Sequence, residues 1–198
     1  MATARCRTRH IAALLVIDTD TTHPPSDLDI LISAAEIRER VAQMGREIDA
    51  SYGQEPIYLI SVLKGSFMFL ADLSRAIQHR VRIEFMGISS YGNAKSSSGQ
   101  VKVTRDLDTS IEGRDVLVVE DIIDSGVTLN YLLRLLAQRK PRSIRIATLL
   151  DKPERRIQPV TVDFIGFRIP DEFVVGYGLD HAEDFRNLPD ICVIRPKP

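Results

Sequence analysis

The sequence predicts an α/β protein: a central parallel sheet with helices on both faces. Three observations carry this. Strand and helix patterns alternate from Asp27 onward, the central strands are continuous apolar runs, and no repeat or low-complexity block divides them. A chain of 198 residues is expected to bury one core.

The elements follow in order. Ser33-Ala-Ala-Glu36 is a capping box, and Ile37, Val41, Met44 and Ile48 form the apolar stripe of a first helix. Pro56 precedes Ile57–Leu63, a run of strand formers, after which Phe67, Leu70, Ala71 and Ile77 return to the helical period. Val81, Ile83 and Phe85 alternate with Arg82 and Glu84, predicting a strand that buries the apolar set on one face. Gly92–Gly99 is a polar, glycine-flanked tip, and Val101 and Val103 alternate beyond it, so Gly87–Thr104 reads as a β-arm. Val116–Val119 is a buried strand. Leu129, Leu132, Leu133 and Leu136 give a helix ending at Arg139-Lys140, cations placed for its C-terminal dipole. Ile144–Leu150, Asp163–Phe167 and Phe173–Val175 are the remaining expected strands.

Charge and cysteine usage narrow the partners. Lys and Arg number 26 against 27 Asp and Glu, a net charge of −1, so no global positive field draws nucleic acid or an anionic membrane. An anionic ligand must be met by local geometry. Cys6 and Cys192 lie at opposite ends with neither disulfide nor zinc spacing, which fits a reducing cytoplasm. No apolar run approaches the roughly 20 residues a bilayer span needs. His10, His23, His79 and His181 show no metal-ligand spacing. Arg5, Arg7 and Arg9 before Ile11–Ile17 imitate a secretion signal, yet no small-x-small cleavage site follows; residues 1–26 are expected to be a disordered, dispensable extension and 27–198 one domain.

The chemistry concentrates in Val116–Leu129. An apolar strand ends in Glu120-Asp121, then turns through Asp124-Ser125-Gly126-Val127-Thr128 into a helix. At the carboxyl end of a parallel strand those acids face the ligand crevice, and the turn offers backbone N–H groups, two hydroxyls and a glycine: a phosphate cradle. A Walker B strand looks similar, but neither Gly-x-x-x-x-Gly-Lys-Ser/Thr nor Gly-x-Gly-x-x-Gly occurs. Acids beside a phosphate suit sugar hydroxyls or a bridging Mg²⁺.

This segment resembles the phosphoribosyl-diphosphate signature of type I phosphoribosyltransferases: four apolar residues, two acids, two apolar residues, then Asp-Ser/Thr-Gly-x-Thr. From about Asp27 to Ile194 the chain resembles the hypoxanthine-guanine phosphoribosyltransferases in particular. Further matches are Leu63-Lys64-Gly65-Ser66, Ser90-Tyr91-Gly92, Leu149-Leu150-Asp151-Lys152, Phe173–Tyr177, Leu179-Asp180 and Phe185-Arg186. The resemblance implies that family's fold, with a small hood and a flexible β-arm lid, a homodimer or homotetramer, and purine salvage from phosphoribosyl diphosphate with Mg²⁺. It assigns Asp124, Ser125, Gly126, Val127 and Thr128 to the 5-phosphate, and Glu120 and Asp121 to ribose hydroxyls and metal. By the same resemblance Asp124 would also be the general base at purine N7, and Lys64, Gly65, Ser90, Tyr91 and Arg186 would meet diphosphate, with a cis peptide between Leu63 and Lys64. It further implies that Lys152 reads the 6-oxo group, that Phe173 stacks on the base while the Val174 backbone reads its edge, and that Asp180 joins the purine site and ligates metal.

From the residues alone, other readings stay open. Asp124 is equally a helix N-cap, Lys64 a solvated lysine after a turn, and Phe173 a core aromatic beside Val174 and Val175. The arm is also compatible with a plain hairpin. Two further functions share the signature: transfer to xanthine, which Lys152 separates poorly, and an RNA-binding regulator, for which balanced charge offers no basic patch. The resemblance omits residues 1 to about 26; with no methionine between Met1 and Met44, a later start would fall at a residue such as Val16 or Leu28.

Overall fold

The structure, a computed structural model, describes residues 28–90 and 101–195. The expected extension at 1–26 and the arm tip from Tyr91 to Gly99 lie outside the described residues. Strands β1 (Leu28–Ile32), β2 (Ile57–Leu63), β3 (Val81–Ser90), β4 (Val101–Arg105), β5 (Asp115–Ile123), β6 (Ser143–Asp151), β7 (Phe164–Arg168), β8 (Val174–Val175) and β9 (Ile191–Ile194) accompany helices α1 (Ala34–Ser51), α2 (Phe67–Ala76) and α3 (Val127–Ala137). A 3₁₀ turn spans Pro153–Arg155.

Alternation along the strands divides the interior. Ile57 and Leu59 of β2, with Leu117 and Val119 of β5, pack beneath α1 and α2, where Ile37, Met44, Ile48, Phe69 and Leu73 are buried. Their neighbours Tyr58, Ile60, Val116 and Val118 face the other way, onto Leu129, Leu132 and Leu136 of α3. Both faces being dry, these strands read as unbroken apolar runs.

The main sheet has the order β4-β3-β2-β5-β6-β7. Its strands are parallel except β4, which pairs antiparallel with β3. A separate antiparallel sheet, β1-β9-β8, forms the small hood. The capping box is present: Ser33 N donates to Glu36 Oε2 at 2.9 Å, and Glu36 N to Ser33 Oγ at 3.4 Å.

Several expectations need correction. The sequence reading missed β1, which buries Leu28 and Ile32 but leaves Ile30 between them 50% exposed and so lacks a strand's alternation, and β9, which has only four residues. In β3 the expected burial is reversed in part: Ile83 is 44% exposed, while Glu84 is buried and accepts from Thr109 Oγ1 at 2.6 Å and Asp108 N at 3.2 Å. The α3 helix stops at Ala137, Lys140 takes φ 54°, and Arg139 pairs with Asp106 at 2.6 Å rather than serving the helix dipole. Phe173 precedes β8 and is 57% exposed, so it is not a core aromatic.

Candidate active site

The strand order reverses between β2 and β5. From β2 the chain runs outward to β3 on one side, then returns to β5 on the other, so the loops following β2 and β5 diverge and leave a crevice. Lys64–Ser66 after β2, Glu120–Thr128 at the end of β5 and Lys152 after β6 therefore gather at one edge.

The turn into α3 is built to receive an anion. Gly126 takes φ 81°, and a Cβ there would lie 2.6 Å from Gln158 O. The N-cap Gly126 has no side chain to cap α3 and no acid occupies the first turn; Ser125 Oγ accepts the Val127 N–H at 3.4 Å, and the N–H groups that follow are left for a ligand. The N-cap is Gly126, so Asp124 is not the cap. Residues 157 and 158 brace the turn, with Ile157 N and Gln158 N donating to Ser125 O at 2.9 and 3.0 Å. A cavity of about 180 Å³ opens here, lined by Val62, Glu120, Ile122, Ile123, Asp124, Ser125, Gly126, Thr128 and Leu129. Asp124 Oδ1 lies 2.9 Å from Arg155 Nε, an ion pair without hydrogen-bond alignment, and Arg155 Nη1 reaches Asp171 at 3.0 Å.

The two acids of β5 diverge, as strand alternation requires. Glu120 lines the cavity on the α3 side, whereas Asp121 lies against the β2 loop. A Cβ on Gly65 would fall inside the Asp121 carboxylate, and one on Gly178 (φ 100°) inside Gly65 O, so only glycines let these three segments meet. The Leu63–Lys64 peptide is cis, as the resemblance implied. Ser66 Oγ, buried, donates to Val62 O at 2.6 Å and fixes the loop from within.

Lys64 is not free in solvent: its Nζ meets Glu183 Oε2 at 2.8 Å. Arg186 donates from Nη1 to Gly178 O at 2.9 Å and pairs through Nη2 with Asp180 Oδ1 at 2.7 Å, while its buried Nε has no partner among the described residues. Asp180 Oδ2 accepts Glu183 N at 2.9 Å.

Lys152 is buried, its N–H donating to Ile123 O at 3.0 Å and its Nζ to Glu172 O at 2.5 Å. The ammonium thus sits beside the segment carrying Phe173 and Val174, with two N–H donors to spare. The Phe173 ring is 57% exposed and lies near perpendicular to the His181 ring, centroids 5.4 Å apart.

Burial pushes the Glu120 carboxyl well above its usual range, and the neighbouring Asp121 adds to this. Asp121 is raised by burial too, against which the Ile122 N–H and Arg186 work, while Asp180 reinforces it. A cation at this edge would relieve that repulsion, and an all-oxygen donor set suits a hard ion such as Mg²⁺. Among the described residues no three His, Cys, Asp or Glu groups converge.

The phosphoribosyl transferase domain family model matches residues 29–182, which include the cradle, the acids and Lys152. The chain belongs to this family. It is 53% identical over 167 residues to a hypoxanthine-guanine phosphoribosyltransferase of Bacillus subtilis, covering 84% of this chain and 93% of that one. A solved hypoxanthine-guanine phosphoribosyltransferase from Bacillus anthracis superposes with TM-score 0.81 at 49% identity, covering 84% and 98% of the chains. Trypanosoma cruzi hypoxanthine phosphoribosyltransferase, solved with its product IMP, gives TM-score 0.83 at 44% identity, covering 88% and 98%.

As a phosphoribosyl transferase domain, the fold collects most of the expected residues. Asp124–Thr128, Glu120, Asp121, Lys64, Gly65, Arg186, Lys152, Phe173, Val174 and Asp180 come from the β2, β5 and β6 loops and the 173–186 segment. Ser90 ends β3 at the same edge, and Tyr91 lies outside the described residues. Sequence reasoning missed Glu183, Arg155, Gly178, Val62 and Ile122. The Gly176-Tyr-Gly178 spacing was a usable signal for Gly178; two charged residues in polar loops, Arg155 and Glu183, carried none.

Proposed function

We propose that this chain transfers the 5-phosphoribosyl group of phosphoribosyl diphosphate to N9 of hypoxanthine or guanine, giving IMP or GMP and diphosphate. The observation that carries the reading is the α3 N-terminus, free of acids in its first turn, over the cavity, with Glu120 and Asp124 on its wall and the buried Lys152 ammonium at the same sheet edge.

Residues 124–128 receive the 5-phosphate on backbone N–H groups and the hydroxyls of Ser125 and Thr128. Glu120 and Asp121 take the ribose hydroxyls. Asp121, with Asp180 near enough to raise its carboxyl, would also hold Mg²⁺, the ion drawing its remaining oxygens from substrate, whereas Glu120 on the other face of β5 would not share that ion. Bound there, Mg²⁺ would neutralise charge on the departing diphosphate. Lys64, Gly65, Ser90, Tyr91 and Arg186 meet that diphosphate as C1 develops oxocarbenium-like charge. Phe173 stacks on the purine and the Val174 backbone fixes its edge. Lys152 donates to the 6-oxo group and would face a second donor in adenine. Asp124 accepts the N7 proton.

The reading includes one domain over 27–198, a homodimer or homotetramer, and a cytoplasmic setting in which the buried Cys192 stays reduced. No described helix is long and apolar enough to cross a membrane.

Diphosphate release is the decisive assay, with Mg²⁺, phosphoribosyl diphosphate and hypoxanthine, guanine, xanthine, adenine or uracil. Turnover with hypoxanthine and guanine is expected. Silence with both would end this reading, and turnover with xanthine alone would reassign the base.

A further inference from the structure

Both cations assigned above to diphosphate already face one carboxylate of the protein itself, Glu183, although Arg186 Nη2 holds Asp180 Oδ1 closer, at 2.7 Å. Glu183 Oε2 lies 2.8 Å from Lys64 Nζ and 3.5 Å from Arg186 Nη2. A single carboxylate oxygen therefore sits between the only two charged side chains that the reading gives to the leaving group. The turn that presents it is unusual. Ala182 and Glu183 take φ 53° and 73°, a left-handed conformation that side chains rarely adopt, and the Glu183 N–H is fastened to Asp180 Oδ2 at 2.9 Å.

We propose that Glu183 is a resident counter-anion of the diphosphate subsite, displaced when the substrate's diphosphate binds and returning to Lys64 and Arg186 as diphosphate leaves. It keeps two like charges together in the free protein, lowers affinity for phosphoribosyl diphosphate and hastens product departure. The inference rests on the proposed reading of Lys64 and Arg186. Lys64 and Glu183 are 64% and 66% exposed, so each contact is screened and the expected effect is severalfold rather than large.

The test compares Glu183→Gln and Glu183→Gly with Asp184→Asn, which removes the same charge one residue away. Glycine also suits the φ of 73° at position 183, so loss of folding does not accompany loss of the carboxylate in both variants. Three readouts are taken with Mg²⁺ present: KM for phosphoribosyl diphosphate, the inhibition constant of diphosphate, and the diphosphate Kd by calorimetry. In both Glu183 variants all three are expected to fall about three- to tenfold, while Asp184→Asn stays within about twofold. A wild-type protein that turns over a 6-oxopurine while the Glu183 variants keep or raise these constants would overturn the counter-anion. An equal fall in Asp184→Asn would also overturn it, leaving general charge as the cause. A wild-type protein without turnover would instead overturn the underlying reading.

Discussion

At the residue scale, Asp124 separates binding from chemistry. It does not cap α3, and one of its oxygens lies against Arg155, so its carboxylate is not what holds the phosphate turn together. Asp124→Asn is expected to slow single-turnover transfer about 10²- to 10⁴-fold, the range of general acid–base contributions, with phosphoribosyl diphosphate affinity changed less than about threefold. Comparable loss of affinity would make the residue structural. The sequence disclosed this residue because the whole signature lies within one strand and one turn, where covalent order dictates spatial order. Lys64 and Arg186 were legible only through resemblance, being brought together by chain reversal between distant elements. Glu183 was not legible at all: an exposed acid in a polar loop shows its partners only after Gly178 has packed on Gly65.

At the element scale, helix contacts overturn propensity. Gly45 is buried in α1, and a Cβ there would lie 2.6 Å from Ala76 O and 2.8 Å from Ala76 Cβ. An alanine in mid-helix ordinarily adds about 0.5–1 kcal/mol. Here Gly45→Ala must push α1 from α2, and a net loss of about 1–3 kcal/mol is expected in urea melts. A second tie joins the end of α1 to the turn before β3. His79 Nδ1 meets Asp49 Oδ1 at 2.8 Å and its Nε2 meets Gly53 O at 2.6 Å. Both ring nitrogens face acceptors, so only the imidazolium donates to both, and the Asp49 bond raises its pKa. Stability from a raised histidine is complete below its unfolded value, about 6.5, and fades as pH climbs through the folded one. The wild type's advantage over His79→Ala should therefore be larger at pH 6 than at pH 9, by less than about 1 kcal/mol. An advantage that grows with pH would reject the tie. Neither device was readable beforehand, since Gly45 fits any helix surface and His79 reads as an isolated polar residue.

At the scale of the whole molecule, the sheet separates two cores that share strands but not side chains. Ile37 is buried on the α1–α2 side and Ile146 on the α3 side. Ile37→Val and Ile146→Val are each expected to cost about 0.5–1.5 kcal/mol, with the double variant additive to within about 0.5 kcal/mol in urea melts. Marked coupling would mean that the sheet transmits strain between its faces. The main layers were legible because strands dry on both sides are apolar without interruption. Of the hood only β8, inside the expected Phe173–Val175 strand, was read from the residues; β1 and β9 were not, because they are short and draw their order from antiparallel partners distant in sequence. The exposed ring of Phe173 has an optical consequence. The chain contains no tryptophan, so Phe173→Trp would place a single indole where the purine is expected to stack, and excitation at the red edge of the indole band would read it apart from the five tyrosines. Its emission should be quenched by guanine or IMP in a saturable titration; an emission indifferent to both would remove position 173 from the base site.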